Sequence, residues 1–118
     1  DYDLDMQDYM DAGIMPAFLT CSFTIYYWNV VELVNAATGH RLNEGIHELK
    51  HNYLMVDSPE KCEMLYQMIG SEYTGVLYDG ETCKTHLAVY NSDLTAETFE
   101  QLVRSEDFFA LAAEKLGK

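Results

Sequence analysis

The sequence predicts a single α+β domain: an antiparallel sheet of about four or five strands with two or three helices packed on one face. Three observations carry that prediction. Leu19, Cys21, Phe23, Ile25 and Tyr27 alternate with Thr20, Ser22, Thr24, Tyr26 and Trp28, the period-2 pattern of a strand with one buried face. The stretch "DSPEKCEMLYQMIG" has the start and stop signals of a helix. "YTGVLYDGETCKTHLAVY" sets an Asp79-Gly80 turn between two β-rich runs. At 118 residues and 48% apolar composition, one domain with a real core is expected.

The elements follow in order. Residues 1–16 read as an acidic arm or short helix, and 17–118 as the α+β domain. Asp1, Asp3, Asp5 and the acids after them resemble a calcium loop, but Met6 and Ala12 stand where that loop needs Gly and a bidentate Glu. After the first strand, "NVVELVNAATGHRL" suits either a short helix ending at Gly39 or a hairpin looped at "NAATG". The β-rich Val30, Val31 and Val34 favour the hairpin. Ser58 caps a helix over 59–69, Pro59 takes its first position, and Gly70 follows its last turn. Cys62, Leu65 and Ile69 form its inward stripe.

Thr95 opens a helix over 96–104 with Phe99, Leu102 and Val103 inward. Ser105 caps a last helix over 106–116, with Phe108, Phe109, Ala112 and Leu116 inward and Gly117 as its stop. Residues 53–72 lie over 86–106 with Leu54 matching Leu87, Val56 matching Val89 and Gln67 matching Gln101, the pattern of a twice-used ββα unit. The expected core takes in Leu19, Phe23, Ile25, Val56, Leu65, Ile69, Val76, Leu87, Val89, Phe99, Leu102 and Phe109.

One stretch spells a chemistry. "GIHELKHNY" contains His47-Glu48-x-x-His51, the zinc-hydrolase pattern. On a helix the two imidazoles stand about 6 Å apart on one face, close enough to share a metal whose water the Glu deprotonates. On a strand the same step separates them by about 13 Å, too far for one ion. Gly45 has no role inside a helix, and His47, Leu49, His51, Tyr53 and Met55 alternate as a strand would. Glu72 and His86 are the available third ligands, and neither sits in a second motif. The expectation is therefore a non-catalytic chain without metal or other cofactor, a small zinc hydrolase using His47 and His51 being one alternative. Cys83 with His86 spells a nucleophile–base pair, read here as inert core.

Charge is the stronger signal: 20 acidic against 7 basic residues, net −13. Such a field repels nucleic acid and anionic membrane and attracts basic surfaces. The expected binding residues are Asp3, Asp5, Asp8 and Asp11 in the arm, Glu60 and Glu63, Glu97 and Glu100, and Glu106 with Asp107. Glu60–Glu63 and Glu97–Glu100 are i, i+3 pairs, about 5–6 Å apart on a helix, and rows of such pairs imitate a phosphate backbone. The function expected is an acidic inhibitor of phage or mobile-element type that occupies the basic, nucleic-acid-binding surface of a partner protein. An immunity protein or antitoxin against a basic toxin is the other binding alternative. Three well-separated cysteines, an odd number, place it in a reducing cytoplasm. No apolar run reaches the roughly 18 residues of a membrane span, and no signal peptide is expected.

Overall fold

The computed structural model describes residues 5–45, 47–70 and 77–118. Among them are six helices and one two-stranded antiparallel sheet, about 53% helix and 7% strand. A sheet of four or five strands is therefore not seen among the described residues, which are predominantly helical. Its order is α1 (Asp5–Asp11), β1 (Phe18–Cys21), α2 (Thr24–Ala37), β2 (Tyr53–Val56), α3 (Pro59–Ile69), α4 (Gly80–Thr85), α5 (Ala96–Ser105) and α6 (Phe108–Leu116).

The largest correction falls on 19–39. The strand stops at Cys21, and the alternating residues after it wind into α2. Neither the strand over 22–28 nor the hairpin looped at "NAATG" forms. Trp28, Val31 and Asn35, at i, i+3 and i+7, are all buried on one side of α2, and that packing overrides the β preference of its valines. Ser22 Oγ meets both the Thr24 amide (3.3 Å) and the Thr24 hydroxyl (2.5 Å) at the first turn. At the other end Gly39, at φ +81°, lets the His40 amide turn back to the Asn35 carbonyl at 2.8 Å.

The second correction is the Asp79-Gly80 hairpin. Asp79 is instead an N-cap, its Oδ1 accepting from the Thr82 amide at 2.8 Å, and opens α4; the residues around 87–90 form turns. Most of the strand expected to precede it, with Val76, lies outside the described residues, as does the candidate ligand Glu72. With no strand over 86–89, the repeated ββα unit is absent from the described residues.

The helix signals after Ser58 and Thr95 hold. The Lys61 amide donates to Ser58 Oγ, and Thr95 and Thr98 form a reciprocal capping box. Gly70 is not left-handed; a Cβ there would lie 2.9 Å from the Tyr66 carbonyl, so close approach is what calls for glycine. Ser105 is the last residue of α5, not a cap. Asp107 caps α6 through the Ala110 amide at 3.1 Å, and Gly117, left-handed at φ +69°, ends it.

Packing divides the chain into two units: Asp1–Cys21, Tyr53–Leu77 and Asp107–Lys118 in one, Ser22–Asn52 and Tyr78–Glu106 in the other. In the first, α3 packs on α1, on α6 and on β2, burying Met10, Val56, Cys62, Leu65, Phe108 and Ala112. The register pairs Phe18 with Val56, Leu19 with Met55, Thr20 with Leu54 and Cys21 with Tyr53. Leu54 and Val56 point inward, so Leu19, placed in the core by its sequence pattern, faces out and is 62% exposed. In the second unit Trp28, Val31, Leu94, Phe99 and Val103 form the core. Val89, another expected core residue, is exposed there, and Leu87 and Leu102 are only partly buried.

Candidate functional site: acidic surfaces and an internal carboxylate

The acidic side chains sort into three situations. In the first unit Asp5, Asp8 and Asp11 recur every third residue of α1, Glu60 and Glu63 share a face of α3, and Asp107 caps α6; all are exposed. Glu60 is held below the usual carboxylate range by its own backbone N–H and the Ser58 hydroxyl, so it stays charged at the start of α3. Compensation is partial. Lys118 reaches Glu63 at 3.5 Å, Lys61 takes Asp57 at 2.7 Å, and Gln7 donates to Asp11 at 3.0 Å. The residues of this unit include Lys61, Lys115 and Lys118 as its basic side chains, well short of its acids.

In the second unit the expected row breaks up. Glu97 is exposed on α5, but Glu100 is half-buried and paired with Arg104 at 2.9 Å. Glu106 turns inward. Asp3 lies outside the described residues.

Glu106 is the acceptor of an internal network. Its Oε2 takes the Trp28 indole N–H at 2.8 Å and the Tyr78 hydroxyl, and its Oε1 takes the Thr24 hydroxyl. Above it Tyr27, Tyr78, Trp28, His86 and Phe99 form a cluster of rings, Trp28 lying 4.7 Å from His86 and Tyr27 4.8 Å from Tyr78 between centroids. The Tyr27 hydroxyl meets His86 Nδ1 at 2.6 Å and Cys83 Sγ at 3.4 Å, and the Cys83 thiol donates to the Tyr78 carbonyl at 3.7 Å. Burial pushes both phenols far up, with Cys83 adding to it at Tyr27 and Glu106 at Tyr78. Both phenols therefore stay protonated, and that of Tyr78 donates to the Glu106 carboxylate.

The fully buried Asn35 completes this set. Its Nδ2 donates to the His86 carbonyl at 3.1 Å, and its Oδ1 accepts from the Ala88 amide at 2.7 Å. Sequence patterning missed this network because Glu106 reads as one more surface acid. The signals available were an Asn on the same helical face as Trp28 and Val31, and the chain's single Trp, a residue whose buried N–H seeks an acceptor.

His47 and His51 lie on irregular backbone, without the helix that brings an i, i+4 pair onto one ion. His47 is exposed, while His51 is half-buried with its Nε2 shielded and unbonded. Among the described residues no three His, Cys, Asp or Glu side chains gather as a metal site. No family model, curated protein or solved structure matches the chain. The reading of its function therefore rests on its own charge distribution and packing.

Two histidines give the second unit a pH dependence. Burial lowers the pKa of His86 and His51 below the ordinary 6.5, outweighing the attraction of Glu106 for a charged ring. The unfolded chain then binds protons that the folded chain refuses, so stability falls as pH drops below about 6.5. General self-repulsion acts oppositely, because a net −13 chain loses charge as pH falls. The comparison is therefore with His51→Gln. The urea midpoint of the wild type is expected to drop more between pH 8 and pH 5.5 than that of the variant, and equal drops would refute the assignment.

Proposed function

We propose that this chain is a non-catalytic acidic protein that binds a basic partner, occupying the partner's nucleic-acid-binding surface in the cell interior. The observation that carries the reading is that packing leaves the carboxylates of α1 and α3 on the surface with too few cations to neutralise them. Asp5, Asp8, Asp11 and Glu60 stand at helical spacings of three residues or at a helix start, which gives rows of charge rather than scattered acids. Three cysteines, odd in number and far apart in the sequence, support a reducing compartment. No described helix is long and apolar enough to cross a membrane.

The test is retention of proteins from a lysate at low salt, their elution as salt rises, and competition by duplex DNA. The Debye length shrinks from about 10 Å at 0.1 M salt to about 3 Å at 1 M, so an interaction led by these carboxylates weakens steeply over that range. Asp8→Lys with Glu60→Lys should reduce affinity for the retained nucleic-acid-binding protein by about tenfold or more at 0.1 M salt. Substitution is the better probe than removal of residues 1–11, which would strip α1 from α3. Unchanged binding by the double variant, or retention of no basic protein, would reject the proposal.

A further inference from the structure

The geometry points to the outer face of α2 as a docking site for an amphipathic helix with basic flanks, carried by the partner protein. The inference rests on the reading of the chain as a binder of a basic protein, and it names how that partner is held. On the inner side α2 buries Trp28, Val31 and Asn35. Its outer side is apolar as well: Tyr26, Val30 and Leu33, at i, i+4 and i+7, are 74%, 57% and 68% exposed. Ala37, one further turn along, is also exposed. A helix apolar on both sides is normally buried on both. A contiguous apolar stripe in water marks an interaction surface, and this spacing suits the ridges of a second helix.

Beside the stripe runs an open groove of about 370 Å³, walled by Glu32, Leu33 and Ala36 of α2 and by Leu42 and Asn43 of the segment that follows. Asn43 donates to Glu32 at 3.1 Å and ties the two walls together. Glu32 is the one charged residue of α2, and Glu44 and Glu48 stand exposed on the segment beyond, with Arg41 and Lys50 as the opposing cations. Charge decides the occupant. A second copy would bring its own net −13 to a chain of the same net charge, and an anionic membrane would meet the same repulsion. A helix with Leu-type anchors on one side and Lys or Arg along its edges satisfies the stripe, the groove and the chain's negative charge together.

The probes are two labelled peptides of about 18 residues with identical Leu and Lys content. One sets Leu at i, i+3, i+4 and i+7; the other shuffles the order so that no face is apolar. The wild type is expected to bind the amphipathic peptide about tenfold more tightly than the shuffled one. Val30→Glu with Leu33→Glu adds two negative charges, so apolar docking and pure charge attraction predict opposite signs. Docking on α2 predicts loss of binding by about tenfold or more, and simple attraction predicts a gain. The neutral pair Val30→Gln with Leu33→Gln should show the same loss, with an unchanged circular-dichroism spectrum marking an intact fold. If both peptides bind alike and the Glu variant strengthens them, the docking face is wrong while the acidic-binder reading stands. If neither peptide binds at low salt, both readings fall. A wild-type dimer in sedimentation that Leu33→Glu dissociates would assign the face to a second copy and overturn the proposal.

Discussion

Glu106→Ala is expected to lower stability by about 3–5 kcal/mol, because it strands three donors at once. The Trp28 indole is 1% exposed and cannot rotate its N–H to another acceptor, so it bears the full desolvation penalty. The Thr24 hydroxyl can turn to Ser22 Oγ, and Tyr78 is only partly buried and can seek water, so their losses are smaller. Glu106→Gln should cost roughly half as much. Its amide oxygen can serve Trp28 and Tyr78, while its NH₂ faces a Thr24 hydroxyl able to accept instead. Urea unfolding followed by the fluorescence of the single Trp reads both changes in the unit they affect. A loss under about 1 kcal/mol for Glu106→Ala would mean that the network is not holding the fold.

Asn35→Ala should cost about 2–4 kcal/mol, the second-largest effect. It removes the acceptor of the Ala88 amide and the donor to the His86 carbonyl, and leaves a small void in a fully buried place. Asn35→Asp is the informative companion. It keeps an oxygen for Ala88 but sets a negative charge against the His86 carbonyl, so near-isosteric shape should not rescue it. Hydrogen exchange gives a local reading. The Ala88 amide should exchange much faster in Asn35→Ala than in the wild type, and unchanged protection would count against the assignment.

The sequence was informative wherever local chemistry decides the outcome. Ser58, Pro59 and Thr95 mark helix starts because a side-chain oxygen or a missing N–H satisfies the first turn, whatever lies around it. It misled wherever a distant contact decides. The valines of α2 favour strand locally, and only burial of Trp28, Val31 and Asn35 against residues of the α4–α5 region makes the helix win. Asp79-Gly80 failed for a related reason. An Asp that can begin a hairpin can equally cap a helix, and the residues after Gly80 take the second course. The same limit applies to the carboxylates. Spacing identified Asp5, Asp8, Asp11 and Glu60 as exposed, but it carries no sign that Glu106 has three donors waiting for it.

Glu106 also has a consequence for how the chain is made. It lies 78 residues beyond Trp28 and 82 beyond Thr24, so during synthesis α2 emerges long before its acceptor does. At about 5–20 residues per second the interval lasts several seconds, a long time beside helix formation. Over that interval the nascent segment has an apolar inner face without its core and an apolar outer face that stays uncovered even afterwards. Docking of a partner while the ribosome is still translating, or capture by a holding chaperone, would find the same stripe of Tyr26, Val30 and Leu33 open to it. Ribosome-bound chains tethered so that residue 106 lies inside or outside the exit tunnel should therefore differ sharply in protease resistance at α2, with protection gained only once the carboxylate has left the tunnel.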